Sequence, residues 1–426
     1  MMIELTTILM FCRALINTGA PSKLTEKATR RLADKLCCTD FRLSIAMDAC
    51  TASARGADGV ERVQIEDKTS TLGGGNFFVL GKLLSWLMKL DIRESSCAQL
   101  QAELKQITAC ARIHPNLVYH LSAGIGSAIV GFAFGADWKD LLLIFAAAFL
   151  ADWLQVVLTK RTALFPLVRT LIAIVFGGVI AAALTVCLGS AHYFINISAA
   201  LIFFMPGLPI VSGFIELLRG NNSIGIHRFT QAVLTIGLIA IGEALAMLIL
   251  PEATVVTKAI SASSQFPLWL SQILGCFSTA ILAVALTLYF SIDRRFAFVY
   301  AGGGFLVQLV NVFATNVLSV SGYVATFIAL VVLTLYAYYY KAALGCVYDE
   351  CIMPPYYVAA MIAIALFPGV GIIRTVDGMI RIARSTISSL PASLVTETVY
   401  YASSTVVSLL ALVFGIVLAA SLFTED

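Results

Sequence analysis

From Leu117 onward the chain is a near-continuous succession of apolar segments, each about 20 residues long and divided from the next by a short polar turn. At ~1.5 Å rise per residue, a helix of that length crosses a hydrocarbon core of ~30 Å. In lipid every backbone N–H and C=O must be bonded within the protein, which leaves helices or closed barrels. Long unbroken apolar runs select the helix. The segments lie near 117–136, 139–158, 163–189, 193–213, 228–250, 266–290, 296–313, 317–340, 354–373 and 399–422, which makes ten spans. Composition agrees: 59% of the 426 residues are apolar and 12% charged, with mean hydropathy +0.91. A soluble domain carries about twice that charge, ~25%.

The charge is concentrated at one end. Residues 1–115 hold 15 Lys/Arg and 12 Asp/Glu, so about a quarter of the length carries 27 of the 53 formal charges. That shift predicts a soluble head, 1–115, and two membrane units, 116–250 and 265–426. In the head, 5–18, 23–37, 77–90 and 95–112 have helical periodicity, while 41–53 and 61–67 read as strands. "NTGAPSK" (Asn17–Lys23) makes a turn, with Ser22 as N-cap of the second helix. A small α+β domain is expected. The opening "MMIEL" is not a secretory leader, since Glu4 stands where such a leader is basic. Six of ten cysteines (Cys12, Cys37, Cys38, Cys50, Cys97, Cys110) lie in the head. Their spacing fits neither metal pairs nor a disulfide scaffold, so they read as free thiols of a cytoplasmic head. A net charge of +3 is too small to imply nucleic acid.

Two of the spans are broken. "FFMPGLPIVSGFIELLRG" (Phe203–Gly220) is interrupted at Pro206-Gly207, and "LFPGVGIIRTVDGMIRIA" (Leu366–Ala383) at Pro368-Gly369. Each proline is followed at the same spacing by an arginine, Arg219 in the first segment and Arg381 in the second. "FGADWKDLLLIF" from Phe134 likewise matches "FSIDRRFAFVY" from Phe290, with Asp137 answering to Asp293. Two anchors in the same order, at nearly equal offsets, divide the ten spans into two fives. An odd number of spans makes the second unit enter the bilayer from the other side, an inverted repeat with its site at the broken helices. With the head inside, inner loops hold seven Lys/Arg and outer loops five, so both termini are expected in the cytoplasm. Residues 374–398 are too polar to span and read as an amphipathic surface or re-entrant segment.

A proline removes a backbone donor, so a break of this kind belongs in a protein-lined or wet cavity. Half-helices starting at Gly207-Leu208 and Gly369-Val370 would offer free N–H groups and a positive dipole end to a carboxylate. The other reading is a kink in a packed helix with arginines as interfacial anchors. Gln308 and Asn311 share a helical face, and Gln155 is the comparable amide in the second span; they are expected either to bind a substrate's amino and hydroxyl groups or to bond between helices. Asp152 and Arg169 fall at similar depth around the 159–162 turn, so a pair is expected, serving as a structural salt bridge or as a proton-linked switch. Glu243 has no basic partner in its own span and is either a proton-exchanging carboxyl or a structural one. Glu216, Arg219, Asp377 and Arg381 line an entry path or act in gating. The four histidines form no HxxxH spacing, with His114 and His120 interfacial, so no metal and no cofactor is expected. Ser22 and the glycines at 73–75 belong to no nucleophile or phosphate-loop motif, so no enzyme is expected.

The segments "LINTGAPSKLTEKATRRLADKL", "FGADWKD" and "MPGLPIVSGFIELLRGNNSIGIHR" resemble the threonine/serine exporter family. "ALFPGVGIIRTVDGMIRIA" is similar to the shorter second module of that family. The resemblance implies a cytoplasmic head regulating two membrane modules in the plasma membrane. It also implies export of threonine and serine driven by protons, with other small carboxylates such as dicarboxylates as the alternative substrates. A passive channel is the rival among membrane functions, and a homo-oligomer stays open.

Overall fold

The structure, a computed structural model, describes residues 2–45, 49–55, 61–67, 76–90, 96–109, 113–248, 267–345, 358–359, 362–366, 368–384 and 391–422. The head contains α1 (Met2–Asn17), α2 (Ser22–Lys35), β1 (Thr39–Ile45), β2 (Ala49–Arg55), β3 (Glu61–Asp67), α3 (Phe77–Lys89) and α4 (Cys97–Ala109). The strands form one antiparallel sheet in the order β1-β2-β3. The stretch expected as a single strand, 41–53, is therefore most of a hairpin. In β2 burial alternates with period two: Cys50, Ala52 and Ala54 are fully buried against Leu5, Leu9 and Cys12 of α1. Small side chains there let the sheet approach the helix. The Cys12 thiol donates to the Cys50 sulfur at 3.9 Å, with no disulfide between them. Burial pushes the Cys38 thiol up, which makes it a poorer nucleophile.

The membrane body follows as α5 (Asn116–Ala133), α6 (Trp138–Arg161), α7 (Pro166–Cys187), α8 (Tyr193–Leu201), α9 (Gly207–Leu218) and α10 (Asn222–Met247). Then come α11 (Leu268–Tyr289), α12 (Ala297–Asn316), α13 (Gly322–Gly345), α14 (Gly369–Arg384) and α15 (Ala392–Ser421). Among the described residues eight helices are long and apolar enough to span, and nine if α8 and α9, bent by 55°, count as one. The ninth expected span, 354–373, lies partly outside the described residues. What is described there is a 3₁₀ turn, Ile364–Leu366, before α14. The polar stretch after 373 is thus the continuation of α14, and α15 begins at Ala392, ahead of the expected 399. Val233, Leu234 and Ile241 stand exposed along α10, which suits lipid and not water.

Corresponding helices pack alike in the two halves. α5 lies on α6 and α11 on α12; α6 on α7 and α12 on α13; α7 on α10 and α13 on α15; α9 on α10 and α14 on α15. Across the halves α5 meets α11, while α10 touches α14 and α15 touches α9. The turns match too. Gly135 and Ser291 both take positive φ (85° and 59°), and the next amides, Ala136 and Ile292, reach back to Gly131 and Thr287. Asp137 and Asp293 then cap the following helical segments. Burial pushes the Asp293 carboxyl up, but bonds from the Arg295 side chain and amide outweigh this and hold it below its ordinary value.

The head is fixed to one end of this body. Ile8, Phe11 and Leu83 share a core with Leu208, Val211 and Ile215 of α9 and with Ile292. Arg228 of α10 donates to the Ala20 carbonyl at 2.9 Å, and His114 meets the Ile292 carbonyl at 3.3 Å.

Candidate functional site

Proline fixes the first break. Pro206 stands at the N-cap of α9, Met205 is extended before it, and a 3₁₀ turn, Ile202–Phe204, precedes them. The second 3₁₀ turn, Ile364–Leu366, stands to Pro368 as the first stands to Pro206. Both prolines accept from an amide one turn further on, Ile210 and Ile372. The breaks open on one cavity of about 150 Å³. Phe203, Met205, Gly207 and Leu208 line it from the first break, and Ile364 and Gly369 from the second. The remaining wall is α5 and α11, which cross here. Gly126 of α5 makes room for the Phe203 ring, since a Cβ there would fall 2.2 Å from it.

Gly207, Leu208 and Gly369 are thus brought together as expected from the sequence, with Pro206 and Pro368 directly behind them. Val370 follows in the first turn of α14. The two half-helix ends differ in donors. In α9 the Gly207 amide is bonded to the Met205 carbonyl at 2.8 Å, and Pro209 has no N–H. In α14 no proline follows Pro368, so Gly369, Val370 and Gly371 all carry N–H groups.

The expected amides do not join the cavity. Gln155 points to Thr170 of α7 at 3.5 Å, Gln308 lies against Gly275 of α11, and Asn311 is half-buried on α12. Their spacing did put Gln308 and Asn311 on one face, but the wall of the cavity is another helix. The polar groups that do line it are Ser278, Thr279 and Tyr289 of α11. Both short hydroxyls donate to the Gly275 carbonyl at 2.9 Å, so each keeps lone pairs for a donor. Self-satisfied hydroxyls inside an apolar span leave no hydropathy signal.

Among the charged groups the expected Asp152–Arg169 pair is not formed. Asp152, 5% exposed, accepts from or shares a proton with His120 Nδ1 at 2.5 Å and receives the Tyr289 hydroxyl at 3.2 Å. Arg169 instead donates to the Thr159 carbonyl at 3.3 Å. The packing of α6 on α7 sets Gly177 against Ala151 and Arg169 against Thr159, so Arg169 lies nearer the turn than Asp152, which faces α5 and α11. His120 is accordingly buried and not interfacial.

Glu216 is not on a path to the cavity. It accepts from the Ser22 amide at 2.8 Å, from the Ser22 hydroxyl and from Asn221 at 2.9 Å, so it tethers the head. Pro21, not Ser22, is the N-cap of α2 and supplies no side-chain cap, and Glu216 serves in its place. Arg219 caps the end of α9 within range of Tyr338. Glu243 is fully buried and accepts from Ser198 of α8 at 2.6 Å. Asp377 lies within electrostatic range of it and is paired with Arg381 at 2.9 Å.

A further polar knot joins the turns at the end of the body opposite the head. Asp140 is bonded to His192 at 2.8 Å and to Asn196 at 3.1 Å, and Asp137 forms a capping box with it. Asp137, Asp140 and His192 have the donor set for a metal, with ligand atoms within 4.8 Å of one another. Their hydrogen bonds already account for them as a clasp between α6 and α8.

The fold and this site define a multi-pass helical membrane protein with a cavity at the bent α8–α9 pair and the start of α14. The family model described as "Putative threonine/serine exporter" matches residues 6–250, more than half of the chain, and the protein belongs to that family. The matched range includes both the "GAPS" turn and the Glu216–Asn221 segment it docks on. No curated protein and no solved structure matches the chain.

Proposed function

We propose that this chain is a secondary active exporter of threonine and serine, driven by the proton gradient across the plasma membrane. Its ten membrane elements act as two five-helix inverted repeats, with the head and the C-terminus in the cytoplasm. The observation that carries the reading is the convergence of both breaks on one small cavity. A cavity of ~150 Å³ spans about five water volumes, the scale of a small ligand such as an amino acid. The substrate carboxylate lies at the start of α14, where the first-turn amides are intact, and its amino and hydroxyl groups face Ser278, Thr279 and Tyr289. The reciprocal contacts of α10 with α14 and of α15 with α9 support a two-fold relation between the halves. Glu243 takes up protons away from the head, since its end of α10 is the opposite one.

Counterflow in proteoliposomes with a panel of amino acids and dicarboxylates tests this. Exchange of threonine and serine, and their accumulation against a gradient when a pH difference is imposed, is the expected result. Exchange of dicarboxylates alone would replace the substrate class, and downhill flux without accumulation would make the protein a channel.

A further inference from the structure

The His120–Asp152 pair is unused by the reading above, yet it is joined to the cavity. Tyr289 lines the cavity, packs its ring edge-on against Phe203 at 5.1 Å, and donates its hydroxyl to Asp152. Phe203 belongs to the turn that ends at the first break. A proton on the pair and a ligand in the cavity are therefore one tyrosine apart.

Resting on the exporter reading, we propose that His120 and Asp152 bind the transported proton, and that this proton and the substrate's ammonium group compete for the Asp152 charge through Tyr289. With the proton bound the pair is imidazolium and carboxylate, with no net charge. Releasing it leaves neutral imidazole and a carboxylate of charge −1. A hydroxyl donates once and keeps lone pairs to accept. Tyr289 can therefore receive a hydrogen bond from an ammonium group while donating to Asp152. That chain is charge-assisted only when the Asp152 charge is not already offset by His120. Substrate binding thus favours proton release, and proton binding favours substrate release, by the same factor. That is exchange of one for the other, which an exporter driven by inward protons requires.

Among the described residues, the titratable groups on the elements packed against the pair are the following. On α5, Tyr119 is bonded to Ser291. On α6, Asp140 is bonded to His192 on the other side of the body, and Lys160 and Arg161 are exposed at the helix end. Arg169 of α7 is bonded to Thr159. α8 brings Tyr193, α11 brings Cys276 besides Tyr289, and the 202–204 turn brings no titratable group. Against the His120 ring stands Phe149, edge-on at 5.6 Å.

The test uses the full chain in proteoliposomes with labelled threonine, and ring-¹⁵N histidine NMR on the same protein. In the wild type, threonine affinity should weaken on acidification by about 5- to 150-fold, the usual span of coupling between two sites. His120→Asn should flatten this pH profile and abolish accumulation driven by a pH difference. Tyr289→Phe should flatten the profile while the His120 resonance still titrates, a split that a merely structural role would not produce. A wild-type pH profile in His120→Asn, or in Tyr289→Phe if the former does not insert, overturns the proposal. If the wild type exchanges no amino acid at all, the exporter reading fails. The histidine NMR then decides this one alone, since a His120 titration unmoved by Asp152→Asn refutes the pair as a proton site.

Discussion

Glu216→Gln should loosen the head where it meets the body. The carboxylate accepts two hydrogen bonds from Ser22 and one from Asn221 in a site 1% exposed. Hydrogen bonds to a charged group contribute about 1.5–3 kcal/mol each. A carboxylate at a helix N-terminus adds about 0.3–1 kcal/mol. Glutamine keeps one acceptor and turns an N–H₂ toward donors, so a net loss of about 2–4 kcal/mol is expected. At 1.4 kcal/mol per factor of ten, local opening of the start of α2 rises by about 30- to 700-fold. The apolar contacts of Ile8, Phe11 and Leu83 with α9 remain, so the head stays on. Amide hydrogen exchange over Lys23–Arg31 in the solubilised protein reads the change. Ser22→Ala should give a smaller effect, and the double variant less than the sum, because both partners belong to one network. Glu26→Gln on the same helix is the control, since its exposed pair with Arg30 contributes less than about 1 kcal/mol. Exchange in Glu216→Gln within about threefold of wild type, less than about 1 kcal/mol, would refute the tether.

Three further expectations concern the body. Pro368→Ala with Gly369→Leu should cut threonine counterflow by about tenfold or more, and Pro206→Ala with Gly207→Leu as much, with insertion retained; unchanged flux in either would reduce that break to a kink. Glu243→Gln should remove accumulation driven by a pH difference far more than exchange at equal pH, measured in the same vesicles, and accumulation at wild-type level would exclude Glu243 from the proton path. For topology, an impermeant maleimide should label exposed Cys187 in intact cells and exposed Cys37 only after permeabilisation, with Cys187→Ser and Cys37→Ser identifying each signal; labelling of Cys37 in intact cells would invert the molecule.

What the sequence made legible was whatever depends on local backbone chemistry or on length. Pro206-Gly207 and Pro368-Gly369 announce themselves because proline lacks a donor wherever it stands. Asp137 and Asp293 stood out only as matching positions, and the structure adds that each caps its own turn. Register across a turn and the direction a side chain faces were not legible. Asp152 and Arg169 stand at similar residue counts from the 159–162 turn, yet α7 sets Arg169 against Thr159, and Gln308 and Asn311 share a face that is turned from the cavity. The partner of Glu216 lies far back along the chain in another domain, and no periodicity reports such a distance.

The proposed repeat bears on why the remaining part of the site resists reading. Glu216 and Asp377 stand at nearly corresponding places on α9 and α14, one position out of register. One is held by the head through Ser22, and the other by Arg381 on its own helix with Glu243 in range. In the proposed repeat the two halves share a scaffold, and the charges placed on it differ. A head occupies one end of the body, and the clasp of Asp140 with His192 closes the other. In the proposed exporter, opening the two ends breaks different bonds: hydrogen bonds to a carboxylate from the head at one, a carboxylate–imidazole contact at the other. A near-constant offset pairs the residues of the proposed copies, and the asymmetry that the proposed transport cycle needs lies at the positions where the two sequences disagree.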